Sequence, residues 1–187
     1  MGDNIFYGHD LNDLLLNAMQ NDDGGTIFAY HVQDPEKYGV VEFNRNKNVV
    51  SLEEKPKNSK SNYAITGLYL YDRDVVKMAK TLKPLARGEF EITDLNQLYV
   101  DQQKLQVEIM SRDYAWFDTG THESLLNTSR FIVKIENRQG LKLVRPEEII
   151  FTQVWIVDSQ LERLAVPFLK NQYGQYLHQD LKAKSNK

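Results

Sequence analysis

Strand-like and helix-like segments alternate through the first 140 residues of this chain, and a hairpin signal interrupts the alternation. Segments 26–32, 63–71 and 105–110 are rich in β-branched and aromatic residues and predict strands, whereas amphipathic segments between them predict helices. Residues 39–43 and 49–52 flank a polar turn and predict a hairpin. This order predicts an α/β fold with a mixed, mainly parallel sheet and helices on both faces.

Capping residues predict where several of the helices begin and end. Asp10, Asp74 and Thr93 each precede a helical pattern and are expected to cap it. Thr121 precedes the longest pattern, which we expect to end at Gly140. Beyond that glycine only helix signals remain. We therefore expect residues 1–140 to form the core and residues 141–187 to form a small helical C-terminal appendage.

Composition limits the class of protein. The chain has 187 residues, which suits one domain or a domain with a small appendage. Its net charge of -3 with mixed signs argues against binding to nucleic acid or to an anionic membrane surface. The apolar runs are too short to cross a membrane. There are no cysteines, so no thiolate metal site is possible, and we expect a cytoplasmic protein.

Two aspartates stand at polar breaks next to apolar or aromatic segments. Asp3 lies in Met-Gly-Asp-Asn, and Asp118 lies in Trp-Phe-Asp-Thr-Gly. Carboxylates at strand ends are the ligands that Mg²⁺ uses beside phosphates, where water and phosphate oxygens complete its coordination. The alternative is that both are turn residues that satisfy local backbone amides.

Three further segments carry polar groups suited to a sugar phosphate. Glu54 could accept sugar hydroxyls beside Lys55, whose ammonium could face a phosphate. Arg87, in an Arg-Gly-Glu loop, could bind a phosphate through its bidentate fork. Gly39 and Gly67 could let a sugar ring approach the backbone. The alternatives are solvated strand ends, an exposed turn and a strand bulge.

Other chemistries lack their sequence signals. No glycine-rich loop followed by Lys or Arg occurs in these 187 residues, so no segment is expected to cradle a nucleoside triphosphate. The four histidines show no zinc-ligand spacing, and no serine lies in a nucleophile-elbow context.

Taken together and in this order, the motifs resemble those of glucose-1-phosphate thymidylyltransferases. The resemblance rests on these segments: Gly-Asp-Asn-Ile-Phe-Tyr-Gly (2–8), Asp-Pro (34–35) with Tyr-Gly-Val-Val (38–41), Ser-Leu-Glu-Glu-Lys-Pro (51–56), Ser-Asn-Tyr-Ala-Ile-Thr-Gly-Leu-Tyr (61–69), Ala-Arg-Gly-Glu-Phe-Glu-Ile-Thr-Asp (86–94), Trp-Phe-Asp-Thr-Gly-Thr (116–121) and Asn-Gln-Tyr-Gly-Gln-Tyr-Leu (171–177). It covers essentially the whole chain.

The resemblance implies a reaction and a set of residue roles. Such enzymes make dTDP-glucose and pyrophosphate from dTTP and glucose 1-phosphate with Mg²⁺, at the start of dTDP-rhamnose synthesis. Matched position by position, Asp3 and Asp118 would hold the metal. Lys55 and Arg87 would hold the sugar phosphate and act in catalysis. The glucose would contact Tyr38, Gly39, Glu54 and Tyr69, with Ile65 packed nearby.

The chain departs from the family pattern at its start. Family members begin with a strand and a glycine-rich loop that contains an Arg, and this nucleotide-binding third is missing here. We therefore expect a truncated nucleotide-diphospho-sugar transferase fold with little or no activity alone and weak or absent binding of dTTP or dTDP-glucose. A shortened sheet would have an uncovered edge, which favours a homo-oligomer.

The resemblance also suggests a second, regulatory nucleotide-sugar site. Gly8, His9, Arg112 and Glu148 lie in segments that could form it. Alternatively, His9 helps to cap the first helix. Two competing functions remain: a non-catalytic sugar-phosphate or effector-binding and oligomerisation module, and a metal-dependent glycosyltransferase. The second is disfavoured because no close pair of aspartates lies in a suitable place.

Overall fold

The structure is a computed structural model that describes residues 2–9, 11–84, 88, 90–143 and 145–185. Its contacts divide the chain into two compact units, Met1–Leu125 and Leu126–Lys187. The described strands all lie in the first unit, and the described elements of the second are helical. The expected division into a core and an appendage after residue 140 stays a prediction about domain organisation.

The elements follow one another with short connections. In the first unit they are β1 (Asn4–Tyr7), α1 (Leu11–Ala18), β2 (Gly25–His31), a 3₁₀ turn (Pro35–Lys37), β3 (Gly39–Phe43), β4 (Val49–Glu54), β5 (Tyr63–Tyr71), α2 (Val75–Ala79), α3 (Ile92–Asp101), β6 (Leu105–Met110) and β7 (Ala115–Asp118). The remaining elements are α4 (His122–Gln139), α5 (Pro146–Thr152), α6 (Asp158–Ala165), a 3₁₀ turn (Val166–Phe168) and α7 (Gln172–Ser185).

The strands form two sheets. The larger has the order β4-β3-β5-β2-β6, and the smaller is the antiparallel pair β1-β7. The α/β class with a mixed sheet is confirmed. Within the larger sheet only β2 and β6 run parallel, and its other neighbours are antiparallel. The expected predominance of parallel strands is therefore wrong for the described strands, because β5 pairs antiparallel with both β2 and β3 and the hairpin adds the antiparallel pair β3–β4.

Helices cover both faces of the larger sheet, as expected. Ile27 and Ala29 of β2 belong to a buried cluster with Leu95 and Tyr99 of α3. Phe28 lies between them in sequence and packs in a second buried cluster, which includes α1. Since side chains alternate across a strand, α3 and α1 lie on opposite faces.

The turn of the β3–β4 hairpin contacts β6. Asn48 forms an isolated antiparallel bridge with Gln106, and the Val107 amide donates to the Lys47 carbonyl at 2.9 Å. The Lys47 ammonium lies 2.8 Å from a carboxylate oxygen of Glu108. Part of β6 is therefore paired within this chain on the side that does not face β2, which limits its availability to another chain.

Several predicted boundaries differ from the observed ones. Strands β5 and β6 have the predicted bounds, and Gly140, with φ of 69°, follows α4. Thr121 caps α4, since its hydroxyl accepts from the Ser124 amide at 3.1 Å. The expected Thr93 cap is wrong, because Glu91 is the residue that precedes α3. The expected cap Asp10 lies outside the described residues.

The helical unit has its own core. Phe151, Leu161, Ala165 and Leu177 are buried together. Helix α5 ends in a Schellman-type turn, in which the amides of Val154 and Trp155 donate to the carbonyls of Phe151 and Ile150. None of the helices among the described residues combines the length and the apolar character that crossing a membrane requires.

Candidate functional site

The β1–β7 pair places the two predicted metal ligands on neighbouring strands. Asn4 is directly opposite Asp118, and Asp3 immediately precedes β1. The backbone amide and the hydroxyl of Thr119 both donate to the Asp3 carbonyl, each at 2.8 Å. Directly opposed Cα atoms in antiparallel strands lie about 5 Å apart. The fold therefore brings the backbones of Asp3 and Asp118 together, although they are remote in sequence.

The donor set around these aspartates suits a hard cation. Asp118 Oδ1 accepts from the Gly120 amide at 2.9 Å, and Asp3 Oδ1 accepts from Asn4 Nδ2 at 3.2 Å. Among the described residues no group of three or more His, Asp or Glu side chains could hold a metal. Mg²⁺ does not need such a cage, because one or two carboxylates with water and phosphate oxygens suffice. By donor chemistry the two carboxylates are groups that Mg²⁺ accepts, while the hydrogen bond from the Gly120 amide is also the contact expected of a turn aspartate.

Gly39 and Glu54 are partners on β3 and β4, and they approach each other closely. A Cβ atom added at Gly39 would lie 2.9 Å from Glu54 Oε2 and 3.7 Å from Ile65 Cδ1. The same carboxylate oxygen accepts a hydrogen bond from the Thr93 hydroxyl at 3.2 Å. The exposed Glu54 carboxylate is thus held against the backbone of Gly39 and bonded to Thr93.

One tyrosine lies near Glu54 and another lies near Asp118. Burial, with a smaller contribution from Glu54, raises the pKa of Tyr69 to about 12, so its hydroxyl is a neutral donor at physiological pH. Burial also raises the pKa of Tyr38, followed by the negative charges of Asp34 and Asp118. Asp118 is therefore close enough to Tyr38 to act on it electrostatically.

Lys55 follows β4 with an unusual backbone. Its φ is 46°, in the left-handed region that L-residues avoid, and its amide donates to the Tyr38 carbonyl at 3.0 Å. The side chain is exposed and takes part in no ion pair among the described residues. Strained backbone of this kind occurs often at functional sites.

The structure adds residues to which sequence analysis assigned no role. Trp116 lies 5.2 Å from Tyr38 between ring centroids, and its indole N–H donates to Asn4 Oδ1 at 2.8 Å. A Cβ atom at Gly67, whose φ is 75°, would lie 2.8 Å from Asn4 Nδ2. In the quoted motifs Asn4 directly follows Asp3 and Trp116 lies two residues before Asp118, which was the signal available. Arg87 lies outside the described residues.

Comparison with known proteins decides the family. The model of the nucleotidyl transferase family matches residues 1–135. The chain belongs to this family.

Named relatives of this nucleotidyl transferase are glucose-1-phosphate thymidylyltransferases. This chain is 54% identical over 177 residues to the glucose-1-phosphate thymidylyltransferase from Xanthomonas campestris pv. campestris, and the match covers 95% of this chain and 60% of the relative. It is 50% identical over 182 residues to the one from Neisseria meningitidis, covering 97% and 63%. The chain thus spans about 60% of the length of these curated relatives.

Solved structures share the fold. A glucose-1-phosphate thymidylyltransferase structure from Bacillus anthracis, in complex with sucrose, matches with a TM-score of 0.61 and 42% identity. The match covers 70% of this chain and 51% of that one. A UDP-glucose pyrophosphorylase complexed with UDP-glucose matches with a TM-score of 0.60 over 71% of this chain and 54% of that one. At 21% identity the second match supports the fold alone.

The predicted regulatory residues of this nucleotidyl transferase lie in three places. Gly8 packs against the Tyr114 ring, and His9 is exposed. Arg112 is exposed and lines a cavity with His31 and other residues of β2, β5 and β6. Glu148 belongs to the helical unit, where it pairs with Arg145 and accepts from the Tyr176 hydroxyl at 3.1 Å. Their regulatory role stays a prediction.

A separate cavity of 650 Å³ does not suit a phosphate. It lies between the end of α1 and the end of β5 and is lined by Asp22, Asp23, Asp72 and Asp74. Asp72 accepts from the Gly24 amide at 2.8 Å and from the Tyr99 hydroxyl at 2.8 Å. Burial opposes ionisation of Asp72, but these hydrogen bonds outweigh it and hold the pKa below its ordinary value. Four aspartates against Arg73 give the cavity an acidic lining, although Asp23 and Asp74 are paired with Lys104 and Lys77.

Proposed function

We propose that this chain carries the sugar-phosphate and metal half of a glucose-1-phosphate thymidylyltransferase. The reaction joins dTTP and glucose 1-phosphate and gives dTDP-glucose and pyrophosphate. One observation carries the proposal: the Glu54 carboxylate lies against Gly39 and helps to raise the pKa of Tyr69, and it directly precedes Lys55, which has no ion-pair partner in the part of the chain that the structure describes. The names of the relatives point to the same reaction.

The sugar would be bound by groups of opposite hydrogen-bonding character. The carboxylate of Glu54 accepts hydrogen bonds, whereas the neutral Tyr69 hydroxyl can donate one. The absence of a side chain at Gly39 lets the ring approach the backbone. Ile65 and the aromatic pair Tyr38 and Trp116 would pack against the apolar faces of the sugar ring.

The phosphate would lie between Lys55 and the two aspartates. The Lys55 ammonium offsets the charge of the sugar phosphate and holds it for in-line attack on the α-phosphorus of dTTP, from which pyrophosphate leaves. Asp3 and Asp118 would hold Mg²⁺, which when bound neutralises charge on the phosphates. Chemistry of this kind depends mainly on positioning and charge neutralisation, so no nucleophilic side chain is required.

We expect this polypeptide alone to turn over slowly or not at all. No glycine-rich loop followed by Lys or Arg is available to cradle the triphosphate. Loss of groups that stabilise transition-state charge costs about 100- to 1,000-fold in rate. The measurement is pyrophosphate release from dTTP and glucose 1-phosphate by the purified chain. Rapid release would show that the 187 residues suffice for catalysis.

The direct test of the proposal is calorimetric titration. Glucose 1-phosphate and dTDP-glucose are titrated into the chain with Mg²⁺ and with EDTA. Binding of glucose 1-phosphate that Mg²⁺ strengthens is the expected result. Binding that Mg²⁺ leaves unchanged, without turnover, would instead favour the alternative of a non-catalytic binding module. The absence of any binding of glucose 1-phosphate would contradict both functions.

We also propose that the chain forms a homo-oligomer. In the helical unit the side chains of Val154, Trp155 and Val166 are 77%, 73% and 58% exposed. Large exposed apolar side chains of this kind are typical of protein contacts. Light scattering over a range of concentrations should detect self-association, and a monomer at every concentration would contradict this proposal.

A further inference from the structure

Asn4 contacts both halves of the candidate site. It is the sequence neighbour of Asp3 and the cross-strand partner of Asp118. Its side chain also reaches Trp116, which borders the sugar side, and the backbone of Gly67 on β5. Strands β1 and β5 belong to different sheets, so this one amide connects the sheet of the aspartates with the sheet of the sugar-binding residues.

The orientation of this amide follows from the chemistry of its partners. The indole of Trp116 can only donate, so it must face the amide oxygen, and the distance is 2.8 Å. The carboxylate of Asp3 can only accept when ionised, so it must face the amide nitrogen, at 3.2 Å. Both hydrogen bonds are satisfied by one rotamer and would be lost together if the amide turned.

Gly67 provides the space for this rotamer. Its φ of 75° places it in the left-handed region, within an irregularity of the β2–β5 ladder. A Cβ atom there would lie 2.8 Å from Asn4 Nδ2 and 3.3 Å from Asn4 Cγ. The irregularity at Gly67 of β5 therefore leaves room for the side-chain amide of Asn4.

We propose that Asn4 is a positioning residue whose side-chain amide fixes the rotation of the Asp3 carboxylate for the cation. Gly67 leaves open the space that this amide occupies. The inference rests on the proposed function, since it assumes that the aspartates bind a divalent cation. Groups that hydrogen-bond to a metal ligand commonly contribute about 10- to 100-fold to metal affinity.

The test measures Mn²⁺ binding instead of activity. The chain has two tryptophans, and replacing the exposed Trp155 by Phe leaves Trp116 as the fluorescent reporter beside Asn4. Mn²⁺ is titrated against Trp116 fluorescence and by calorimetry. Asn4→Ala and the similarly sized Asn4→Leu should both weaken Mn²⁺ binding about 10-fold or more. Their unfolding midpoints, followed by Trp116, should show that the fold is retained, and glucose 1-phosphate affinity in EDTA should change far less than Mn²⁺ affinity.

Gly67→Ala tests the second half of the inference. It touches neither aspartate, yet it should weaken Mn²⁺ binding because the new methyl group displaces the Asn4 amide. Combined with Asn4→Ala it should add little, since the amide is already absent. Gly140→Ala is the control for backbone strain, because Gly140 has a similar φ of 69° and no heavy atom within 4 Å of an added Cβ.

The outcomes separate the two levels of the argument. A parent chain that binds no Mn²⁺ overturns the metal part of the proposed function and this inference with it. A parent chain that binds Mn²⁺, with Asn4 variants that bind it equally well, overturns the inference alone. Rescue by Asn4→Leu would show that Asn4 only fills space. Equal losses of Mn²⁺ and sugar-phosphate affinity would show a general structural role.

Discussion

The two ends of β4 carry the same residue type in the same unusual backbone conformation, but in different surroundings. Lys47 precedes the strand with φ of 63°, and Lys55 follows it with φ of 46°. Lys47 is paired with Glu108, and its carbonyl accepts from Val107. Lys55 has no ion-pair partner among the described residues.

The difference between Lys47 and Lys55 distinguishes backbone strain that accompanies stabilising contacts from backbone strain at a proposed binding residue. At Lys47 the left-handed backbone closes a hairpin turn and is offset by contacts with β6. At Lys55 the amide is bonded to the Tyr38 carbonyl, but the ammonium has no ion-pair partner among the described residues, which leaves it available for the proposed phosphate. The predictions below test whether the first end of β4 serves stability and the second end serves binding.

The largest expected effect is on sugar-phosphate affinity. Lys55→Met should weaken binding of glucose 1-phosphate by about 10- to 100-fold, since a hydrogen bond to a charged group contributes about 1.5–3 kcal/mol. The unfolding midpoint should stay unchanged. Calorimetry measures the affinity, and Lys47→Met is the matched control that should bind normally. Equal losses in the two variants would remove the distinction between the ends.

Gly39→Ala tests the residue that pairs with the functional end. Its methyl group would meet the tip of Glu54, at 2.9 Å from Oε2. Because that tip can move, the fold should tolerate the change while the carboxylate shifts, and sugar-phosphate affinity should fall by about 10-fold, the order of one misplaced hydrogen bond. The same calorimetric titration measures it. A large loss of stability without a change in affinity would assign Gly39 to the fold instead.

The sequence anticipated what depends on local pattern. The alternation of Tyr63–Tyr71 and Leu105–Met110 was sufficient to define β5 and β6. Strands β1 and β7 were not predicted, because four residues carry little periodicity and their pairing joins distant parts of the chain. Helix α7 was also missed, since Gln172–Ser185 has only a weak amphipathic pattern.

In the candidate site too, local motifs could be predicted from sequence, whereas contacts between distant segments could not. The residues that matched family motifs could be named from sequence, and the structure places Gly39, Glu54 and Ile65 together. The contacts of Asn4 and Thr93 could not be anticipated, because each depends on strands or helices that meet only in the folded chain. Thr93 illustrates the limit: its position predicts a helix cap, whereas its hydroxyl donates to Glu54.

A third residue with left-handed backbone, Val154, provides a measure of how much this strain lowers stability. Val154 has φ of 59° at the position after α5 where glycine is usual, and its side chain is 77% exposed. At protein concentrations where the chain is monomeric, Val154→Gly should stabilise the helical unit by about 1 kcal/mol, because a β-branched residue is strained there. Urea unfolding followed by Trp155 fluorescence in a Trp116→Phe background measures this unit. Destabilisation would mean that the valine has packing partners in solution.

Lys47→Met should have a smaller effect, confined to stability. Both partners of the Lys47–Glu108 pair are partly exposed, with side-chain exposures of 50% and 20%, so solvent screens the attraction. Such pairs contribute about 0.2–1 kcal/mol, and the loss should shrink at high salt. Urea unfolding followed by Trp116 in a Trp155→Phe background reports it. A loss that salt does not reduce would indicate packing of the lysine chain instead.

The smallest expected effect compares the two lysines when each is replaced by glycine. Glycine adopts positive φ without strain but is more flexible in the unfolded chain, so replacing a left-handed residue by glycine should change stability by less than about 1 kcal/mol. Lys55→Gly should be slightly stabilising, because no ion pair is lost with the side chain. Lys47→Gly should be neutral or slightly destabilising, because loss of the Glu108 contact offsets the relief of strain. The sign of the difference between the two variants, measured by urea unfolding through Trp116, is the decisive quantity. If Lys47→Gly were the more stabilising, the strain at Lys55 would already be relieved within the protein, and the reason to assign its ammonium to a phosphate would be lost.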